Sequence, residues 1–240
     1  MLALRLGFGR TEMTTLLFVH GMNGTADSWR DIPEQLAPYV DDSTAIQLSG
    51  HNRPMTIFDV LGNGTYSSGL GMEDYVADVV NNFPAGQDRD VVLVGHSMGG
   101  AVISHVASRY PDRISKLIYL TAMLPDDGQS VSDILNWIRI SGHFNADAFM
   151  GDFRPHIAEL KLVLQPREPL DAKFSRSNEF ENLPRAYIRC TDDDVIPTPI
   201  QGEMLNAYPG TEVKTLKRSH FPQYQAPKEL VKTLIECLPT

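Results

Sequence analysis

Cysteine is nearly missing from this 240-residue sequence: Cys190 and Cys237 are the only two. They are too few and too far apart for a disulfide framework or a cysteine-based metal site, and read as free thiols. No apolar run approaches the roughly 20 residues needed to cross a bilayer. The N-terminus also lacks the apolar stretch of a secretory signal, since Met1 to Thr15 scatters Arg5 and Arg10 among a few apolar residues. Cations are short as well: 21 Lys and Arg stand against 30 Asp and Glu, a formal net charge of -9. Nucleic acids and anionic membranes need a basic face to offset phosphate, so neither is expected as a partner. No metal-ligand cluster and no phosphate-cradling glycine loop is present, so no metal and no cofactor is expected. These absences predict a cytoplasmic monomer or homodimer acting on a small uncharged or cationic molecule.

What is present suits one folded domain. Hydrophobic residues make up 42% and charged residues 21%, close to the average for soluble globular chains, and the length fits a single α/β unit. Strand-like sequence begins only at Leu16, so residues 1–12 read as an extension and Met13 as an alternative start. Short apolar, β-branched runs bounded by turn residues predict buried strands at Thr15 to Val19, Val91 to Val94, Leu117 to Thr121 and Ala186 to Cys190. Helical spacing fills Trp29 to Tyr39, Met72 to Phe83, Gly99 to Tyr110, Pro199 to Tyr208 and Lys228 to Leu238. Alternating strands and helices predict a mostly parallel sheet flanked by helices, with ligands bound beyond the carboxyl ends of the strands. Residues 126–183 break this rhythm: Trp137, Phe144, Phe174 and Phe180 lie among Pro, Asp and Gly with no convincing strand. The segment reads as a helical lid inserted into a core made of residues 1–125 and 184–240.

Within Val91 to Ile103 the motif Gly95-His96-Ser97-Met98-Gly99 joins an apolar strand to a helix-forming run. A serine on so sharp a turn needs strained backbone angles, and a Cβ two positions to either side would clash. Chance alone predicts roughly 0.1 such patterns in a chain of this length, so its placement between strand and helix is what identifies Ser97 as the candidate nucleophile. The helix start also offers the Met98 N–H to an oxyanion. A second donor is expected from the turn after the first strand, His20-Gly21-Met22-Asn23-Gly24, with the Met22 N–H the candidate and His20 a buried brace.

Serine needs a histidine to take its proton, and that imidazole needs a carboxylate. Of the seven histidines, His220 lies late in the chain, in a turn before the final helix. For the acid, the strand ending at Cys190 runs into Thr191-Asp192-Asp193-Asp194, whose three carboxylates this pattern does not separate. Asp126 and Asp127, after the preceding strand, are the minor alternative.

With these residues placed, the chain resembles the α/β-hydrolase superfamily, and within it the plant methylesterases and hydroxynitrile lyases with their bacterial esterase relatives. The matching stretches are His20-Gly21 with Trp29, Ser49-Gly50-His51, Gly95 to Gly100, Leu120 to Pro125, Tyr187 to Pro197, Gln201 and Ser219-His220. The resemblance implies the α/β-hydrolase fold. It also implies that the acid lies eight positions before Gln201, at Asp193, with Asp194 second. Gly21, Met123, Trp137 and Phe221 are expected to line the substrate pocket. The lyases resemble this chain except for a threonine at Gly21, an acidic residue at His96 and a lysine at Phe221. These departures favour a serine esterase cleaving small carboxylic esters over a lyase or carbon–carbon bond hydrolase. A ligand receptor that kept the pocket without turnover is the reading from another class.

Overall fold

The computed structural model describes residues 14–239 except 57–58, 60–63, 87–90, 154–155 and 157–158. The expected N-terminal extension, residues 1–12, and Met13 lie outside the described residues.

Six strands form one sheet in the order β2-β1-β4-β5-β7-β8: β1 (Thr15–Val19), β2 (Asp42–Ile46), β4 (Val91–His96), β5 (Ile114–Leu120), β7 (Arg185–Cys190) and β8 (Glu212–Leu216). Every pairing among them is parallel. The four inner strands carry unbroken apolar runs because both faces are covered. Leu17, Val19, Leu93, Leu117 and Tyr119 enter the core on one side, while Leu16, Phe18, Val92, Val94, Ile118 and Leu120 enter it on the other. The first face packs on the helices Met72–Val80 and Gly99–Arg109, and the second on Trp29, Ile32 and the closing helix Pro227–Glu236.

Two outer strands escaped the sequence reading. Asp42–Ile46 and Glu212–Leu216 pair on one edge only and mix polar with apolar residues, so they carry no apolar run. The helix expected over Trp29 to Tyr39 is also broken. Arg30 has φ +54, which ends a short 3-10 turn at Ala26–Trp29, and a new helix runs only from Ile32 to Leu36.

The 126–183 segment holds the helices Val131–Ile140, Ala146–Phe153, Glu168–Asp171 and Asn178–Glu181. It also holds one unforeseen piece of strand, β6 (Gln165–Pro166), which pairs in parallel with β3 (Thr65–Tyr66). Phe174 and Phe180 are buried in the core, as an ordinary packing role requires. Among the described residues no helix is long and apolar enough to cross a membrane. The chain runs from β1 outward to β2 and then returns to β4 on the other side of β1. That reversal opens a crevice beyond the carboxyl ends of β1 and β4, the place where open α/β sheets take their ligands.

Candidate active site

The carboxyl end of β4 delivers Ser97 to this crevice. Its φ is +54, a left-handed angle costly for any residue with a Cβ, and tight packing holds it there. A Cβ on Gly95 would lie 2.6 Å from the Gly99 carbonyl oxygen, and one on Gly99 would lie 2.4 Å from that of Val19. The Ser97 carbonyl accepts from Gly100 N–H at 3.1 Å and Met123 N–H at 2.9 Å.

The turn after β1 closes over Ser97. A Cβ on Gly21 would stand 2.8 Å from Ser97 Cβ and 3.3 Å from its Oγ. Neither the Met22 nor the Met98 N–H donates to an acceptor among the described residues. Behind this turn His20 donates from Nδ1 to the Gly21 carbonyl at 2.9 Å and accepts the Leu48 N–H on Nε2 at 3.3 Å. His51 donates from Nδ1 to the Gly24 carbonyl at 2.9 Å and accepts the Tyr75 hydroxyl at 2.8 Å; Gln165 donates to that hydroxyl at 3.0 Å. Burial drives both imidazoles towards neutrality, lowering His20 to about 3 and His51 to about 4. Asn23, with φ +54, donates to the carbonyls of Gly64 at 2.8 Å and Val163 at 2.9 Å, and its own carbonyl accepts the Val163 N–H at 2.9 Å.

His220 Nδ1 lies 2.8 Å from Asp193 Oδ2. Ser97, Asp193 and His220 are 6%, 4% and 2% exposed, whereas Asp126, Asp127, Asp192 and Asp194 are all exposed. Asp193 Oδ1 accepts the N–H groups of Val195 and Ile196, each at 2.8 Å, and Oδ2 also accepts the Thr121 hydroxyl. Gln201 staples the loop that presents this carboxylate, donating to the carbonyls of Cys190 at 3.0 Å and Ile196 at 2.7 Å. His96 fixes the other partner: its Nε2–H donates to the His220 carbonyl at 2.8 Å, and the two rings lie 4.7 Å apart. Burial, and then the neighbouring His220, hold His96 well below the ordinary imidazole range, so it is a neutral brace.

The sequence profile of the alpha/beta hydrolase family matches residues 16–233. The chain belongs to this family. Its relatives include a carbendazim hydrolyzing esterase of a Nocardioides species, 35% identical over 82% of this chain and 92% of that protein. A pyrethroid hydrolase of Sphingobium wenxiniae is 26% identical over 93% of this chain and 87% of its own length. Methylesterase 2 of Arabidopsis thaliana is 26% identical over 91% of this chain and 94% of its length. Among solved structures, the pyrethroid hydrolase of Sphingobium faniae superposes with a TM-score of 0.75 at 25% identity, over 93% of this chain and 96% of that one.

In this α/β hydrolase the four residues expected at the substrate take different places. Gly21 lies against Ser97, and the Phe221 ring is 5.1 Å from that of His220 and 6.0 Å from that of His96. Met123 meets Ser97 through its backbone N–H, while its side chain is buried in the core. Trp137 lines a cavity of about 210 Å³ with Leu124, Gln129, Glu203 and Met204, which Ser97, Asp193 and His220 do not reach. A larger cavity of about 600 Å³ runs along Thr25, His51, Asn52, Met55 and Val163, behind the Gly21 turn. Sequence reasoning gave no role to Thr121, and marked His96 only as part of the elbow motif and as a departure from the lyases. A hydroxyl at the end of a buried strand, one position beyond an apolar run, was the available signal for Thr121.

Proposed function

We propose that this α/β hydrolase cleaves small carboxylic esters through an acyl-enzyme formed on Ser97. His220 is the base and Asp193 the acid of its triad. The observation that carries the reading is the buried Asp193–His220 pair, which His96, the sequence neighbour of a serine held at φ +54, grips through the His220 carbonyl. Because Nδ1 of His220 is committed to the carboxylate, Nε2 is its basic nitrogen and takes the Ser97 proton as Oγ attacks the ester carbonyl. The Met22 and Met98 N–H groups, which have no acceptor of their own among the described residues, stabilise the oxyanion. His220 then protonates the leaving alcohol, and water repeats the sequence to release the acid. The esterase names of the relatives support ester hydrolysis, and Phe221 after His220 puts an apolar ring where a lyase-like lysine would stand.

The test is hydrolysis of p-nitrophenyl acetate and octanoate by wild type, Ser97→Ala and Asp193→Asn, with a pyrethroid and carbendazim as further substrates. Turnover on the acetate should fall by about four orders of magnitude in Asp193→Asn, which leaves the wrong imidazole tautomer, and to a comparable residue in Ser97→Ala. Wild-type rates in Ser97→Ala would refute the mechanism. Cyanide release from mandelonitrile without ester cleavage would establish the lyase instead.

A further inference from the structure

Thr121 immediately follows β5 and is fully buried, with φ +36. β-Branched residues almost never occupy this backbone region, and such a residue persists only where its surroundings over-determine it. Here they do. The Thr121 N–H donates to the Ile188 carbonyl at 2.9 Å, and the Tyr187 hydroxyl clamps Ala122, accepting its N–H at 3.1 Å and donating to its carbonyl at 2.9 Å. The Met123 N–H then reaches the Ser97 carbonyl at 2.9 Å. Backbone geometry alone would be met better by glycine, which has no Cβ to strain. What threonine adds is its hydroxyl, and that hydroxyl donates to Asp193 Oδ2, the oxygen that also accepts His220 Nδ1–H.

We propose that Thr121 is a positioning residue for ester hydrolysis, its hydroxyl holding the Asp193 carboxylate in the plane that receives the His220 imidazole. The inference rests on the Ser97, His220 and Asp193 reading. The two backbone donors on Oδ1 fix one end of the carboxylate to its own turn; the Thr121 hydroxyl fixes the other end to β5. A donor to an ionised oxygen makes a strong, directional bond. The carboxylate so held stays aligned with the imidazolium formed during attack. The turn after β5 that supplies the Met123 contact to Ser97 thereby also aligns the acid.

Three variants of the full chain test this on p-nitrophenyl acetate. Thr121→Val keeps the shape and loses the hydroxyl, Thr121→Ser keeps the hydroxyl and loses the methyl, and Thr121→Gly loses both while relaxing the backbone. The Val and Gly variants should show kcat at least about tenfold below wild type with KM within about twofold, and Ser should stay within about twofold on both, as loss of a bond to a charged acceptor predicts. The proton resonance of His220 Nδ1–H should move in the Val and Gly variants and stay in place in Ser. A full kcat in Thr121→Gly or Thr121→Val, or a fall in Ser as large as in Val, overturns the proposal. If instead Ser97→Ala retains wild-type turnover, the triad itself is wrong, so the two failures are distinguishable.

Discussion

Replacing Ser97 with glycine should make the protein more stable than replacing it with alanine, although both changes abolish turnover. At φ +54 any residue with a Cβ is strained by about 1–2 kcal/mol. Alanine keeps that strain, whereas glycine removes it but gives the unfolded chain more freedom, worth about 0.5–1 kcal/mol in the opposite sense. Both variants lose the same hydroxyl and its interactions, so those effects cancel in the comparison. The balance favours Ser97→Gly by about 0.5–1 kcal/mol, or roughly 1–4 °C in Tm for a chain of this size. Scanning calorimetry of the two variants side by side reads the difference, and p-nitrophenyl acetate confirms that neither turns over. If Ser97→Gly melts at or below Ser97→Ala, the elbow is not a store of strain, and the role given to the packing of Gly95 and Gly99 around it is wrong.

Two further outcomes follow from the surroundings of the nucleophile. Gly21→Ala puts a Cβ 2.8 Å from that of Ser97, so kcat/KM should drop at least about tenfold while the fold survives at a cost of about 1–3 kcal/mol; wild-type kinetics would show that the turn can move aside. His20 and His51 are neutral in the fold because burial lowers them to about 3 and about 4, yet on unfolding they titrate near their ordinary value. The unfolded chain therefore binds more protons below about pH 6.5, and stability should fall as pH drops from there towards about 4, at up to about 1.4 kcal/mol per pH unit for each ring. Urea midpoints at pH 7.5, 6, 5 and 4.5 measure this, and His51→Gln should flatten the slope; a midpoint independent of pH would contradict the buried neutral pair.

How far the sequence carried the reading depended on the kind of signal each element leaves. The inner strands were legible because burial on both faces demands unbroken apolar runs such as Val91 to Val94. The outer strands β2 and β8 were not, because an edge strand half in solvent need only mix residues such as Glu212, Lys214 and Leu216. Arg30 broke the expected helix through a backbone angle that its residue type does not announce. At the site, the elbow was legible because glycine is required where backbones touch. Asp193 was distinguishable from its neighbours only through the family resemblance, which puts the acid eight positions before Gln201. The structure gives that spacing a cause, since Gln201 holds the carbonyls on either side of the aspartate turn. The Trp137 cavity shows the converse: an aromatic residue in the 126–183 segment carries no sign of which space it will face.

The Asn23 bonds have a bearing on how this scaffold can be re-engineered. Swapping residues 126–183 between relatives is the obvious route to a new substrate range under the proposed mechanism, since it leaves Ser97, Asp193 and His220 untouched. Yet Val163 and Gln165 belong to the transplanted piece, and they grip the turn that carries Met22, the proposed oxyanion donor, at Asn23 and through Tyr75 and His51. A graft cut at those borders would exchange part of the foundation of the proposed oxyanion turn along with the rest of the segment. Chimeras that retain Val163 to Pro166 from this chain, together with Asn23 and Tyr75, should keep their turnover number while changing selectivity; those that replace the tetrapeptide should lose rate on every ester alike.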